Sequence, residues 1–196
     1  YPLAGEPYGA SVAISPLADE AQTAVEKAGY AHDICAYCRN YLGSILINKY
    51  AFGGPFPKPD FLLQTHMCCT HSKWYQVAGH MEGNAPIFII DASVGAPPPF
   101  EKLSDHKIGY VAEQMMDAIE WLEKTTNRTY DVERFIEAVM YDMKSTHFWA
   151  KTCELNQTIP APMDERTMFS LYVLATIHRS SKEVADFYLE LYEEVK

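Results

Sequence analysis

Two short apolar segments limit the folds that this chain can adopt. FLLQTHM, residues 61–67, begins with an apolar run of strand length, and PIFIID, residues 86–91, is apolar almost throughout. Residues 70–83 between them have the apolar spacing of a helix. Continuous apolar strands are typical of parallel sheets that helices cover on both faces. The segments therefore predict two parallel strands joined by a helix.

Helical patterns surround these strands. One of them starts near Asp33, a possible N-cap, and runs to Leu46. The others cover residues 18–29, 105–124, 131–155 and 164–196. The alternation predicts an α/β fold, a partial doubly wound parallel sheet of Rossmann or flavodoxin type, followed by an all-helical segment. We expect an α/β domain at residues 1–104 and the helical segment at 105–196.

Two segments rich in glycine and proline predict loops. AFGGPFPKPD, residues 51–60, and GAPPPF, residues 95–100, cannot continue a helix or a central strand. Proline and phenylalanine side chains form rigid apolar surfaces, so both loops are candidates for the border of a binding pocket. Ordinary connections explain them equally well.

The charge balance excludes one class of partner and the apolar pattern excludes another. A formal net charge of −10 argues against nucleic acid, because phosphate binding requires a basic surface. Membrane helices need about 18 or more consecutive apolar residues, and the sequence has no such segment. Without a targeting segment, the predicted location is the cytoplasm.

The positions of two cysteines are typical of a ligand site. In open parallel sheets, ligands bind beyond the carboxyl ends of the strands, where the next helices begin. Cys68 follows the first predicted strand, and Cys35 lies at the start of a predicted helix. Helix N-termini favour anions such as thiolates and negatively charged clusters. The two thiols could therefore converge on one metal centre.

The cysteine pattern alone leaves several interpretations open. A zinc site could combine the C-x-x-C pair Cys35 and Cys38 with a further cysteine or histidine, although the usual second pair is missing. An iron–sulfur cluster would need thiolates, and a thioredoxin-like dithiol at Cys35 and Cys38 is a third interpretation. Simple burial is the expectation for Cys38, Cys69 and Cys153.

Two histidines flank the cysteine pair. His66 and His71 could donate protons or bind metal, since imidazole titrates near neutral pH. Single loop histidines are more often surface residues with hydrogen bonds. The other five histidines belong to no motif and are expected to be structural.

Four motifs in order carry a resemblance to a known family. YPLAGEPYGAS, AHDICAYCRNYLGS, GGPFPKPDFLLQTHMCCTHSKWYQ and PIFIIDAS resemble the 2-hydroxyacyl-CoA dehydratase and benzoyl-CoA reductase family. Among its members, the sequence looks closest to the B-type subunit of benzoyl-CoA reductase. The resemblance extends over essentially the whole chain.

The resemblance implies a four-iron four-sulfur cluster held by three cysteines. Two of these ligands correspond to Cys35, in DICAY, and Cys68, six residues before the tryptophan of KWY. In the family, the third cysteine belongs to a second α/β domain, and nothing after Pro160 resembles that domain. We therefore expect the chain to be an N-terminal portion of a longer protein, and the third ligand to lie outside these residues.

The resemblance also implies a reaction and partners. The complete protein would reduce the aromatic ring of benzoyl-CoA with low-potential electrons, and its candidate proton donors are His66, His71 and Tyr37. A homologous cluster-bearing subunit and ATP-hydrolysing electron-activating subunits, supplied by ferredoxin, would be its partners. ATP would bind to a partner, because the sequence has no G-x-x-x-x-G-K-[ST] phosphate loop.

Two other functions stay open. A 2-hydroxyacyl-CoA dehydratase would use the same scaffold to eliminate water from its substrate. A non-catalytic subunit that binds a cluster or zinc and interacts with a catalytic partner is the second alternative.

Overall fold

A computed structural model describes residues 2–66, 68–92 and 104–196. Over these residues the chain forms eight α-helices and two β-strands: α1 Gly5–Ala13, α2 Leu17–Lys27, α3 Ala36–Leu46, β1 Leu62–Thr65, α4 His71–Met81, β2 Ile87–Ile90, α5 Asp105–Thr126, α6 Val132–Leu155, α7 Glu165–Ile177 and α8 Lys182–Val195. The chain divides into two compact units, Tyr1–Tyr130 and Asp131–Lys196. No helix in the described ranges is both long and apolar enough to cross a lipid bilayer.

The sheet consists of β1 and β2 in parallel. Leu62 lies opposite Ile87, and α4 joins the two strands as their crossover helix. This confirms the prediction of two parallel strands joined by a helix, within an α-helix-rich α/β arrangement. The larger doubly wound sheet stays a prediction, since the described residues form one sheet of two strands.

Side chains at the helix ends explain several boundaries. The Ser104 hydroxyl accepts a hydrogen bond from the Lys107 N–H at the start of α5, and the Asp131 carboxylate accepts one from the Arg134 N–H at the start of α6. Gly83 follows the end of α4 with φ at 78°, a conformation that favours glycine. The starts of α5 and α6 and the end of α4 could therefore be predicted from the residues at those positions.

One helix was missed and one helical prediction was wrong. The segment GEPYGASVA forms α1, which its two glycines and one proline concealed. The predicted single helix from residue 164 to the end is divided into α7 and α8. Ser181 begins α8, because its hydroxyl accepts a hydrogen bond from the Val184 N–H. The serine cap was the local signal for this break.

Aromatic rings form the core of the first unit. Tyr41, on α3, is 3% exposed, and burial raises its pKa. Its ring centroid lies 5.8 Å from that of Tyr8 on α1, 5.3 Å from Phe56 in the 51–60 loop and 5.6 Å from Trp74 on α4. Tyr41 therefore joins three segments that are distant in sequence.

A glycine allows α2 and α3 to pack closely. A Cβ atom added at Gly43 would overlap the backbone of Ala21. Ala21 and the neighbouring Val25 are fully buried in this contact region of the core. The contact between the two helices therefore has no room for a side chain at residue 43.

Helix α5 packs on the strands of the first unit. The Trp121 ring lies 5.6 Å from the Phe61 ring and 5.5 Å from the Phe88 ring, measured between centroids. The sequence analysis assigned α5 to the helical segment that begins at residue 105. The predicted domain boundary after residue 104 stays a prediction for the complete protein.

Polar contacts join the helices of the second unit. The Tyr188 hydroxyl on α8 donates to the Leu171 carbonyl at 2.7 Å. Asp186, also on α8, lies between Lys144 of α6 at 2.6 Å and Lys182 at 2.5 Å. The hydrogen bonds from the two ammonium groups lower the pKa of Asp186 to about 2.

The Gly43 contact predicts a loss of stability on substitution. Gly43→Ala should reduce the free energy of unfolding by about 3 kcal/mol, because α2 and α3 must separate to admit the methyl group. Gly109→Ala is the matched control in α5, where an added Cβ meets no described atom within 4 Å. The control should be neutral or stabilising by up to about 1 kcal/mol. Urea denaturation would contradict this interpretation if both variants lost stability equally.

The lowered pKa of Asp186 predicts a pH-dependent contribution to stability. Because the folded protein favours the ionised carboxylate, Asp186 stabilises it above the unfolded pKa of about 4, and this contribution disappears as the pH falls to about 2. Asp186→Asn should therefore lower the Tm at pH 7 and have no effect at pH 2. Glu190→Gln on the same helix is the charge-matched control. An equal effect of Asp186→Asn at both pH values would refute the assignment.

Candidate functional site at the N-termini of two helices

Two exposed thiols lie at the starts of α3 and α4. Cys35 is the N-cap residue of α3, which confirms the predicted helix start at Cys35, whereas the suggested N-cap Asp33 was wrong. The Cys68 Sγ accepts a hydrogen bond from the His71 N–H, the first residue of α4, at 3.4 Å. Both thiols are free and exposed. They therefore occupy positions where the helix N–H groups favour a negative charge.

A third cysteine, Cys38, is buried in the first turn of α3. Cys38 lies one turn after Cys35 and is 3% exposed. Its pKa is raised to about 12, mainly by burial and to a smaller extent by negative charge on Cys35 and on Cys68. The joint binding of one centre by Cys35 and Cys68 stays a prediction.

The other cysteines differ from one another. Burial of Cys38 as a packing residue is confirmed, whereas the same prediction for Cys69 was wrong because Cys69 is exposed. Cys153 is partly buried on α6, and burial raises its pKa. The CxxC pair of Cys35 and Cys38 thus combines one exposed thiol with one that stays protonated at neutral pH.

His71 is held next to Cys68. Its Nδ1 lies 3.2 Å from the Thr65 carbonyl oxygen, so this nitrogen carries a proton and donates it. Its Nε2 lies 3.2 Å from the Glu6 carboxylate but is buried without a properly directed hydrogen bond. The ring also contacts the Trp74 indole, with 5.4 Å between their centroids.

His66 forms a pair with an aspartate at the carboxyl end of the sheet. Its Nδ1 lies 2.7 Å from Oδ1 of Asp91, and the Tyr110 hydroxyl donates to Oδ2 of Asp91 at 3.1 Å. The hydrogen bond with His66, followed by the one from Tyr110, lowers the pKa of Asp91. The carboxylate in turn raises the pKa of Tyr110, which keeps that hydroxyl protonated.

Sequence reasoning missed three residues of this arrangement. Asp91, Tyr110 and Gln114 were not selected, although Asp91 ends a predicted strand at the edge where ligands bind. Tyr110 and Gln114 lie four residues apart on α5 and belong to no motif. Their role depends on how α5 packs on the sheet, which no local pattern indicates.

The remaining candidates from the sequence analysis are Tyr37 and the two predicted loops. Tyr37 is 43% exposed in the first turn of α3, and the hydrogen-bonded chain from His66 to Tyr110 does not include it. A shallow depression of about 390 Å³ lies by the 51–60 loop and is lined by residues that include Lys49 and Gly54. None of the cysteines or histidines above lines it. The GAPPPF segment lies outside the described residues.

The donor set at this site is incomplete for a metal. Within residues 2–66, 68–92 and 104–196, no three His, Cys, Asp or Glu side chains are grouped closely enough to hold an ion. Cys35 and Cys68 are suited to be two of the ligands, since both thiols are exposed and free. Cys38 differs from them, because it is buried at 3% exposure.

Comparison with known sequences identifies related proteins. A family model described as 2-hydroxyglutaryl-CoA dehydratase, D-component, matches residues 7–196. The (R)-phenyllactyl-CoA dehydratase alpha subunit of Clostridium sporogenes is 28% identical over 171 residues, which cover 86% of this chain and 40% of that protein. The (R)-2-hydroxyisocaproyl-CoA dehydratase alpha subunit of Clostridioides difficile is 27% identical over 173 residues, 87% of this chain and 41% of that protein.

A reductase component is also similar. The B-type subunit of benzoyl-CoA reductase from Thauera aromatica is 24% identical over 171 residues, which cover 83% of this chain and 38% of that protein. The chain thus spans about two fifths of the length of the curated relatives it matches.

The differences among the cysteines predict selective alkylation. In metal-free native protein at pH 8, iodoacetamide should modify Cys35, Cys68 and Cys69 and leave Cys38 unmodified, because the reactive thiolate is almost absent at Cys38. Peptide mass spectrometry measures the four rates, and exposed Cys69 is the internal reference. Denaturant should abolish the difference. Equal rates at Cys38 and Cys69 in the native protein would contradict the burial and pKa of Cys38.

Proposed function

Because the chain belongs to the 2-hydroxyglutaryl-CoA dehydratase D-component family, we propose that it is part of an enzyme subunit that acts on an acyl-CoA and holds an iron–sulfur cluster through Cys35 and Cys68. One observation carries this proposal. Two free, exposed thiols lie at the N-terminal ends of α3 and α4, two helices that contact each other through the Tyr41 and Trp74 rings. We propose that the third cysteine ligand comes from outside these 196 residues.

The surroundings of the two thiols suit a negatively charged cluster. At the start of α4, the His71 N–H donates to the Cys68 thiol, and the Ser72 N–H donates to the Cys68 carbonyl. The positive end of the helix dipole lies at the same point. The contact between the Tyr41 and Trp74 rings holds α3 and α4 together, which fixes the separation of their first turns. A four-iron four-sulfur cluster would supply low-potential electrons one at a time at this point.

The chain's own side chains would bind substrate and manage protons. His66, His71 and Tyr37 remain our proposed proton donors, and the His71 N–H contacts the Cys68 thiol. His66 is also joined to Asp91, which the sequence analysis did not include. The apolar GAPPPF segment, which follows β2 in sequence, is a candidate for contact with the acyl group.

Dehydration of a 2-hydroxyacyl-CoA is our first candidate reaction. The matched family model and the two dehydratase relatives carry this activity in their names. Reduction of benzoyl-CoA, the first choice from the sequence motifs, is the second candidate, favoured by the similarity to a reductase component. Dehydration conserves the oxidation level of the substrate overall, whereas ring reduction consumes two electrons for each product. Product analysis therefore separates them.

We also propose the partners that such an enzyme needs. The three relatives are named as alpha or B subunits, which supports a homologous second subunit for this protein. ATP-hydrolysing electron-activating subunits, supplied by ferredoxin in the cytoplasm, would deliver the electrons. A non-catalytic role in which the chain binds a cluster or zinc for a catalytic partner would show no such dependence on electrons.

The cluster assignment predicts which cysteines hold iron. Cys35→Ala and Cys68→Ala in the full-length protein, purified without oxygen, should each lose most of the bound iron and acid-labile sulfide, because each removes one thiolate ligand. Cys69→Ala is the matched control, since it removes the adjacent exposed thiol and should keep the cluster. Full iron content in both test variants would contradict the assignment of Cys35 and Cys68 as cluster ligands. Zinc in place of iron would support the non-catalytic alternative.

The complete enzyme, with its activating partner and ATP, tests the reaction. We expect an enoyl-CoA from a 2-hydroxyacyl-CoA and no net consumption of reductant. A cyclic dienoyl-CoA from benzoyl-CoA, with two electrons consumed for each product, would instead support the second candidate. Turnover of neither substrate would refute both.

A further inference from the structure

We propose that Asp91, supported by Tyr110 and Gln114, is a positioning residue that holds the imidazole of His66 in one tautomer, with Nδ1 protonated and the lone pair on Nε2. The part of this inference that concerns catalysis rests on the proposed function. The tautomer itself can be tested without it.

The strand register places the two side chains together. Thr65 lies opposite Ile90 in the parallel pair, so His66 and Asp91 are the next residues at the same carboxyl edge. The His66 N–H continues the ladder by donating to the Ile90 carbonyl at 2.8 Å. The side chains then meet with 2.7 Å between Nδ1 and Oδ1. This is the edge at which α/β proteins bind their ligands.

The chemistry of the pair determines the tautomer. The carboxylate of Asp91 is ionised at neutral pH, because the hydrogen bonds with His66 and Tyr110 lower its pKa. An ionised carboxylate can only accept hydrogen bonds, so the hydrogen atom between the two groups belongs to Nδ1 of His66. In the neutral ring the lone pair then lies on Nε2, so His66 could donate a proton from this nitrogen only after taking one up there. A carboxylate that fixes one ring nitrogen in this way determines what the other nitrogen can do.

Residues of α5 form hydrogen bonds with the backbone of Asp91 and with the Asp91 side chain. The Asp91 N–H donates to Oε1 of Gln114 at 2.7 Å, and Nε2 of Gln114 donates to the Asp91 carbonyl at 3.2 Å. Tyr110, one turn earlier on α5, donates to the carboxylate. The amide of Gln114 thus continues the hydrogen bonding of the strand beyond its last residue. The backbone N–H, the backbone carbonyl and the carboxylate of Asp91 are therefore all hydrogen-bonded to α5.

Stability alone does not account for so many contacts at one carboxylate. The side chains of His66 and Asp91 are 39% and 50% exposed. Exposed contacts between charged or polar side chains contribute little to folding. The arrangement thus adds little to stability, whereas it restricts the ring of His66 strongly. In sequence, His66 lies two residues before the proposed ligand Cys68.

The tautomer can be measured directly. In full-length protein labelled with ¹⁵N-histidine, the nitrogen chemical shifts of His66, assigned by their loss in His66→Gln, should show a protonated Nδ1 and an unprotonated Nε2. Asp91→Asn should shift the ring toward the opposite tautomer, because an amide can also donate to Nδ1. Asp117→Asn is the matched control, an exposed aspartate of α5 with the same change in charge. Protonation of Nε2 and not Nδ1 in the unsubstituted protein would overturn the proposal.

Kinetics of the complete enzyme test the role in catalysis. Asp91→Asn should lower kcat by about 10- to 100-fold, the range typical of carboxylates that orient a histidine, and leave KM nearly unchanged. Asp91→Glu should restore part of the loss, and Tyr110→Phe should have a smaller effect. A changed tautomer with unchanged kcat would overturn the catalytic role. If the unsubstituted enzyme converts neither acyl-CoA, the proposed function fails while the nitrogen shifts still decide the tautomer.

Discussion

The contacts of the Tyr41 ring determine the geometry of the first unit. This buried ring joins α3 to α1, to the 51–60 loop and to α4 through neighbouring aromatic rings. The hydroxyl of a second ring, Tyr75 on α4, accepts a hydrogen bond from the Gly5 N–H at 3.1 Å and so ties α4 to α1. Because α3 begins at exposed Cys35 and α4 begins three residues after exposed Cys68, this packing also positions the two helix starts near the thiols. Core packing and the chemistry of the candidate site therefore depend on the same side chains.

Most elements of the fold could be predicted from local sequence. The strands were recognisable by apolar runs, and α5 and α6 by Ser104 and Asp131 at their first turns. Helix α1 was missed because its glycines reduce helical propensity, whereas in the structure Gly9 allows α1 to approach the backbone of Tyr37 closely. Its formation is thus decided by tertiary contact. The same applies to the packing of α5 on the sheet.

The candidate site was predictable in part, for a related reason. Cys35 and Cys68 could be selected because helix starts are recognisable in sequence and because the motifs around them resemble a family to which the chain belongs. Asp91 could have been selected as a strand end. Its partners on α5 could not, since they reach Asp91 only through the docking of a helix whose position no periodicity encodes. Sequence thus identified the thiols, and the structure added the carboxylate that holds His66.

The protonated state of Cys38 has a consequence for oxidation by air. Disulfide formation and exchange require a thiolate as the attacking group, and burial keeps Cys38 in its thiol form at neutral pH. Cys38 therefore reacts slowly with an oxidised sulfur elsewhere in the chain, although Cys35 lies only three residues before it. This slow reaction reduces the number of incorrect cross-links available to the chain when it carries no metal.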